Sequence, residues 1–163
     1  MPSTYTPIAT NTLGSAAASV TFSSIASTYT DLIVVAAPLA GSAEELVMQF
    51  NGDTASNYSA TLIWGTGTTA GSVRVSNQTY AYLNYYGSVS TTQNTQIFNI
   101  MNYSNTTTNK TVIGRANRAD SGVDAAVAMW RSTAAINSVA IKLKNGSNFS
   151  IGSTFTLYGV KSA

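Results

Sequence analysis

Histidine and cysteine, the usual carriers of acid–base, nucleophilic and transition-metal chemistry, are both absent from this 163-residue chain. Proton transfer would therefore fall to carboxylates, lysines or tyrosines. Only six residues are acidic. Glu44 and Glu45 are adjacent at the start of an expected strand, where successive side chains point to opposite faces, so they do not form a cooperating pair. Asp120 and Asp124 flank a turn and could approach one another. Glycoside hydrolysis needs two carboxyls about 5 Å apart, or roughly 6.5–9.5 Å for inversion, and nothing in the Asp120/Asp124 spacing imposes either distance. A turn acid beside a solvated strand residue accounts for both. Asn51-Gly52-Asp53 offers oxygen ligands but lacks the further acids of a calcium loop. Gly65-Thr66-Gly67 is followed by neither a Lys-Ser/Thr pair nor a helix, so it reads as a mobile loop and not a phosphate cradle. No catalytic residue, metal site or cofactor is expected, and the chain reads as a non-enzyme.

The aromatic residues make the better case for contact with a ligand. Tyr80, Tyr82, Tyr85 and Tyr86 are concentrated around Asn84. Rings beside amides suit sugar or protein recognition, since each offers an apolar face with a polar tip. An interface role weighs more than a glycan role, because aromatics are enriched where proteins meet. Trp64 and Trp130 are read as core framework. Arg131 is read as a structural residue that bonds loop carbonyls or an acid such as Asp124, its planar fork being suited to several hydrogen bonds.

The elements that must position these groups are short strands. Val20 and Phe22 alternate with polar residues, as in an edge strand. Residues 31–37 (DLIVVAA) are apolar at every position after the first, which predicts a central strand covered on both faces. Residues 45–50 alternate, and so do Tyr58, Ala60, Leu62 and Trp64. Further strands are expected around Val73 and Val75, over 80–86, 96–103, 110–117, 123–130, 136–144 and 155–160. On the 123–130 strand, Val123, Val127 and Met129 share one face, while Asp124, Ala126, Ala128 and Trp130 share the other. Asn51-Gly52 and Asn145-Gly146 each supply two residues tolerant of positive φ, which predicts hairpin turns. About ten strands with turns every 8–15 residues and no amphipathic helix argue for an all-β, antiparallel two-sheet sandwich of jelly-roll type. An immunoglobulin-like sandwich is the alternative. Residues 1–18 are polar and weakly patterned, and read as an extended N-terminal arm, either loose or adding a strand to a neighbouring subunit. Residues 19–163 form the single sandwich domain.

Composition narrows the partners. Charged residues make up 9% of the chain and the formal net charge is +2, with scattered Lys and Arg, so no nucleic-acid partner is expected. The longest apolar run, 32–39, contains a proline and is too short to span a membrane as a helix. The N-terminal residues carry no basic start followed by an apolar stretch, so no secretory signal is expected. Asn-x-Ser/Thr triplets recur, as chance supplies in a chain this rich in Asn, Ser and Thr.

Four segments are familiar: TYTPIATNTLGSAAASVTFSSIASTYTDL, QFNGDTASNYS, AMWRSTAAINSVAIK and GSNFSIGSTFTLYGVK. Together they resemble β-rich, jelly-roll-like virion structural proteins of tailed bacteriophages, over almost the whole chain. The resemblance carries no catalytic motif. Trp130, Arg131, Ser132, Thr133, Tyr158 and Gly159 look like shared framework positions. It implies a capsid decoration (cement) protein on the outer capsid surface, made in the host cytoplasm, acting as a homotrimer and bound to the major capsid protein or another virion protein. The alternative it implies is a tail or head fibre module that binds a host surface glycan.

Overall fold

A computed structural model describes residues 4–161. They contain twelve strands: β1 (Tyr5–Thr12), β2 (Ser19–Phe22), β3 (Asp31–Ala37), β4 (Leu46–Phe50), β5 (Tyr58–Thr66), β6 (Ala70–Gln78), β7 (Ala81–Tyr82), β8 (Gln96–Met101), β9 (Lys110–Arg118), β10 (Gly122–Trp130), β11 (Val139–Leu143) and β12 (Thr154–Val160). All pairings are antiparallel. Eight strands form one sheet in the order β1-β12-β3-β8-β9-β10-β5-β6, and four form the other, β2-β11-β4-β7. The architecture is the expected all-β sandwich.

The topology follows a simple rule. Without β1, β8, β9 and β12, the sheets read β3-β10-β5-β6 and β2-β11-β4-β7. The chain then crosses repeatedly from one sheet to the other, as in an eight-stranded jelly roll. The β8–β9 hairpin is wedged between β3 and β10, and β12 with β1 extends the sheet beyond β3. These four strands double the width of one sheet and leave its partner at four strands.

The core lies between the sheets. The large sheet contributes Leu32, Val34, Leu62, Phe98, Ile100, Val112, Phe155 and Leu157, and the small sheet Val20, Phe22, Leu46, Met48, Phe50, Val139, Ile141 and Leu143. Each follows from strand periodicity, because alternate residues share a face. Trp130 is core, with Phe50 at 5.6 Å and Tyr58 at 6.3 Å between ring centroids. Its indole nitrogen donates to Asp53 Oδ2 at 2.6 Å.

Several local expectations are corrected by pairing. Most of the expected N-terminal arm is a strand of the sandwich itself: Tyr5–Thr12 pairs with β12 of its own chain, with side-chain hydroxyl contacts Thr10–Thr156 and Thr12–Thr154 at 3.1 Å. Residues 1–3 of the expected arm lie outside the described residues. Asn51 and Gly52 do adopt positive φ (53° and 69°), but they close no hairpin, since β4 lies in the small sheet and β5 in the large one. The same holds at Gly146 (φ 83°), between β11 and β12. A turn is a local choice of backbone angles, whereas strand pairing is decided by which apolar faces meet. The 65–71 stretch is not a mobile loop: β5 runs to Thr66 and β6 starts at Ala70, closed by a tight turn in which the Thr66 amide donates to Thr69 O at 2.7 Å. Of the strand expected over 80–86, only Ala81–Tyr82 pairs. Finally, β3 is buried on one face only. Ile33 and Val35 are half-exposed on the other.

Candidate functional site

The outer face of the eight-stranded sheet is where the structure departs most from an ordinary soluble surface. Cross-strand register places its residues in rows. One row runs Tyr158–Ile33–Asn99–Ile113–Val127–Thr61–Arg74, and the next runs Thr156–Val35–Ile97–Arg115–Ala125–Ile63–Ser72. Flanking them are Met101, Met129 and Val123. Ile63 is 61% exposed, Val123 58%, Val127 52% and Ile113 47%. With Met101 and Met129 these side chains expose on the order of 500 Å² of apolar surface, the upper range for a monomer's largest patch. No element among the described residues packs over them.

A groove of about 730 Å³ runs along this face, lined by Tyr5, Ile33, Val35, Ile97, Asn99, Ile113, Gly114, Arg115, Ala125 and Tyr158. Five of the ten, Ile97, Asn99, Ile113, Gly114 and Arg115, belong to the inserted β8–β9 hairpin. The hairpin that widens the sheet therefore also builds the groove. Gly114 is required there: a Cβ at this position would overlap Phe98 Cδ1 and lie 2.8 Å from Cε1. Sequence reading found Val123, Val127 and Met129 on a shared face but assigned that face no role. The available signal was residues 31–37, whose two apolar faces require two covers while the chain provides one.

The tyrosines do not form one platform. Tyr80 and Tyr82 pair at 6.3 Å on the small sheet, and Tyr82 is 4% exposed. The Tyr82 hydroxyl donates to Glu45 Oε1 at 2.8 Å and accepts from Lys144 Nζ at 2.9 Å. Burial pushes this phenol up to about 12, against a smaller opposing effect of the Lys144 hydrogen bond. Tyr85 and Tyr86 instead pack on Trp64, with centroids 6.3 and 4.4 Å away. Trp64 is thus half-buried at the sandwich end and not a core residue, and its buried indole nitrogen has no hydrogen-bond partner among the described residues. Gly71 admits this ring, since a Cβ there would come within 2.6 Å of it.

Asp124 explains why the tyrosine stretch leaves strand geometry after Tyr82. It is 5% exposed and its carboxylate accepts backbone N–H groups from Tyr85 (2.9 Å), Tyr86 (3.1 Å) and Gly87. The carboxylate is spent on holding a loop. Asp120 pairs with Arg118 at 2.8 Å, so the two aspartates are held by different partners. Arg131 bonds the Ser56 carbonyl at 2.8 Å and Asn77 Oδ1 at 3.1 Å, and not Asp124.

Lys110 escaped sequence reading, and Asp53, read there only as part of a turn, has a further structural role. Lys110 is fully buried, and its ammonium donates to the carbonyls of Thr108 (2.7 Å) and Thr133 (3.1 Å). Burial lowers its pKa from the ordinary lysine value. Asp53 is held below its ordinary value first by the Asn57 amide, with burial opposing and the Trp130 indole and Ala55 amide assisting. Among the described residues, no cluster of three or more acidic side chains could hold a metal ion. The arrangement can adhere, and its carboxylates are engaged in structure. No protein-family model matches the chain, and no curated protein matches it.

Proposed function

We propose that this chain is a non-catalytic structural protein of a bacteriophage virion, a decoration protein that clamps the outer capsid surface through the outer face of its eight-stranded sheet. The observation that carries the reading is that uncovered face, with six large apolar side chains exposed. Seven strand spacings by some six residues give a footprint of about 34 by 20 Å. That is about 680 Å², somewhat below the ~800 Å² that each partner buries in a standard protein interface. The virion setting and the homotrimer rest on the sequence resemblance. Adhesion would be geometric: many copies, each holding one footprint, gain strength by multivalency.

The test is stoichiometry and heat resistance of purified particles. A copy number comparable to the major capsid protein, with particles that disrupt at lower temperature when the chain is absent, is the expected result. A few copies per particle would reject a decoration role. Ile113→Asp and Val127→Asp, both on exposed positions, should leave the fold intact and release the protein from particles.

The second reading is a fibre module that binds a host glycan. It is favoured by the Trp64–Tyr85–Tyr86 cluster, where Tyr85 is 39% exposed. It predicts saturable binding to host surface polysaccharide that Tyr85→Ala abolishes. Tyr82→Ala is no test of it, since that ring is buried.

A further inference from the structure

The charge pattern of the outer sheet face states what its partner must carry. Arg115 and Arg74 are the basic residues of this face, and both are exposed. Among the described residues, neither has a hydrogen-bond or ion-pair partner. The other arginines are engaged: Arg118 with Asp120 and Ser88, and Arg131 with Ser56 and Asn77. Among the described residues, the single carboxylate on the face is Asp31, at its rim, and it accepts the Asn102 amide. Between the two guanidiniums lie Ala125, Ile63 and Val127.

Two identical faces set against each other would bring four like-charged guanidiniums to an apolar interface with no free carboxylate among the described residues, the two Arg115 groups buried most because Arg74 lies on the edge strand β6. Unpaired buried charge costs several kcal/mol per ion. Self-pairing of this face is therefore disfavoured, and the occupant is a different surface. Arg115 and Arg74 are three strand spacings apart and offset by one row of two residues along the strands, about 16 Å between backbone positions, a span that their long side chains can shorten to that of a facing segment. An extended segment rises about 3.3 Å per residue with alternate side chains on one face. Positions i and i+4 of such a segment are therefore about 13 Å apart, with i+2 directed the same way.

Resting on the adhesion reading above, we propose that the outer face binds a partner protein through an extended acidic–aliphatic–acidic segment. Carboxylates at i and i+4 pair with Arg115 and Arg74, and an aliphatic side chain at i+2 packs on Ala125, Ile63 and Val127. Arginine suits this role, because its fork accepts a carboxylate in two parallel hydrogen bonds.

The probe is the synthetic peptide acetyl-TETVTET-amide, titrated into the full chain and followed by nuclear magnetic resonance of the Ile and Val methyls. TQTVTQT and TKTVTKT serve as counterparts. The expected result is shifts at Ile63, Ile113 and Val127, with the glutamate peptide binding about tenfold more tightly than the glutamine one, as two exposed charge pairs supply. Arg115→Gln and Arg74→Gln should each cut that preference to about threefold, and the double variant should remove it. Equal binding of the three peptides overturns the proposal. So does the absence of any methyl shift at millimolar peptide, or a preference that survives in the double variant. Abundant chain on particles with a face blind to peptide charge would overturn this inference alone. Charge-selective binding by a chain absent from particles would support it and reject the virion reading.

Discussion

Replacing Asp124 by Asn separates a structural carboxylate from a catalytic one, and its cost follows from the geometry. The wild-type carboxylate, almost completely buried, receives three backbone N–H donors from consecutive residues of one loop. Hydrogen bonds to a charged group contribute about 1.5–3 kcal/mol each, and neutral ones about 1. An asparagine keeps the shape but has one carbonyl oxygen. It accepts at most two of the three bonds, both neutral, and turns an N–H₂ group toward the remaining donor. The difference is about 3 kcal/mol, reduced somewhat because Tyr85 lies at the surface and its amide regains water. A chain of this length has a stability of roughly 8–15 kcal/mol, so Asp124→Asn should still fold. With a urea slope of about 2 kcal/mol/M, the unfolding midpoint should fall by about 1.5 M at unchanged slope. Because the loop carries Tyr85 and Tyr86 against Trp64, the indole fluorescence of the folded variant should also change. A midpoint within about 0.3 M of wild type would refute the argument. So would loss of a hydrolytic activity with stability unchanged.

Three other outcomes follow. Gly114→Ala should destabilise by about 1–3 kcal/mol through displacement of the buried Phe98 ring, whereas Gly146→Ala, with open space around it, should cost only the strain of its positive φ; paired thermal melts compare them. Asp53 is held below its ordinary value of 3.8, so its contribution is present above that pH and lost as pH falls through the folded-state value; Asp53→Asn should flatten the acid limb of a stability–pH curve followed by Trp fluorescence. Burial pushes both Tyr58 and Tyr82 from 10.0 up to about 12, so the fold favours their protonated forms and stability should decline from pH 10 towards 12. Tyr58→Phe and Tyr82→Phe should each shrink that decline, and a decline left unchanged in both variants would contradict it.

Periodicity determined much of this molecule from sequence alone. The alternation of Asp124, Ala126, Ala128 and Trp130 against Val123, Val127 and Met129 assigned β10 its two faces, because an extended chain leaves no other choice once one face must be dry. The same logic placed Val139, Ile141 and Leu143 inward, put Tyr58, Ala60, Leu62 and Trp64 on one face, of which the first three are core, and excluded helices. The absence of histidine and cysteine was readable without any fold. What sequence could not reveal was which strands meet. Asn51-Gly52 and Asn145-Gly146 have turn chemistry, but the chain changes sheets at both, since pairing depends on contacts between residues far apart in sequence. The same long-range pairing put Tyr5–Thr12 beside β12, split four neighbouring tyrosines between two sites, and spent Asp124 on the amides of a loop nearly 40 positions away. It also laid Arg115 and Arg74 on one apolar face. Each of those residues is ordinary in its local sequence, and only the lateral register of strands, fixed by burial of the opposite face, makes them a surface.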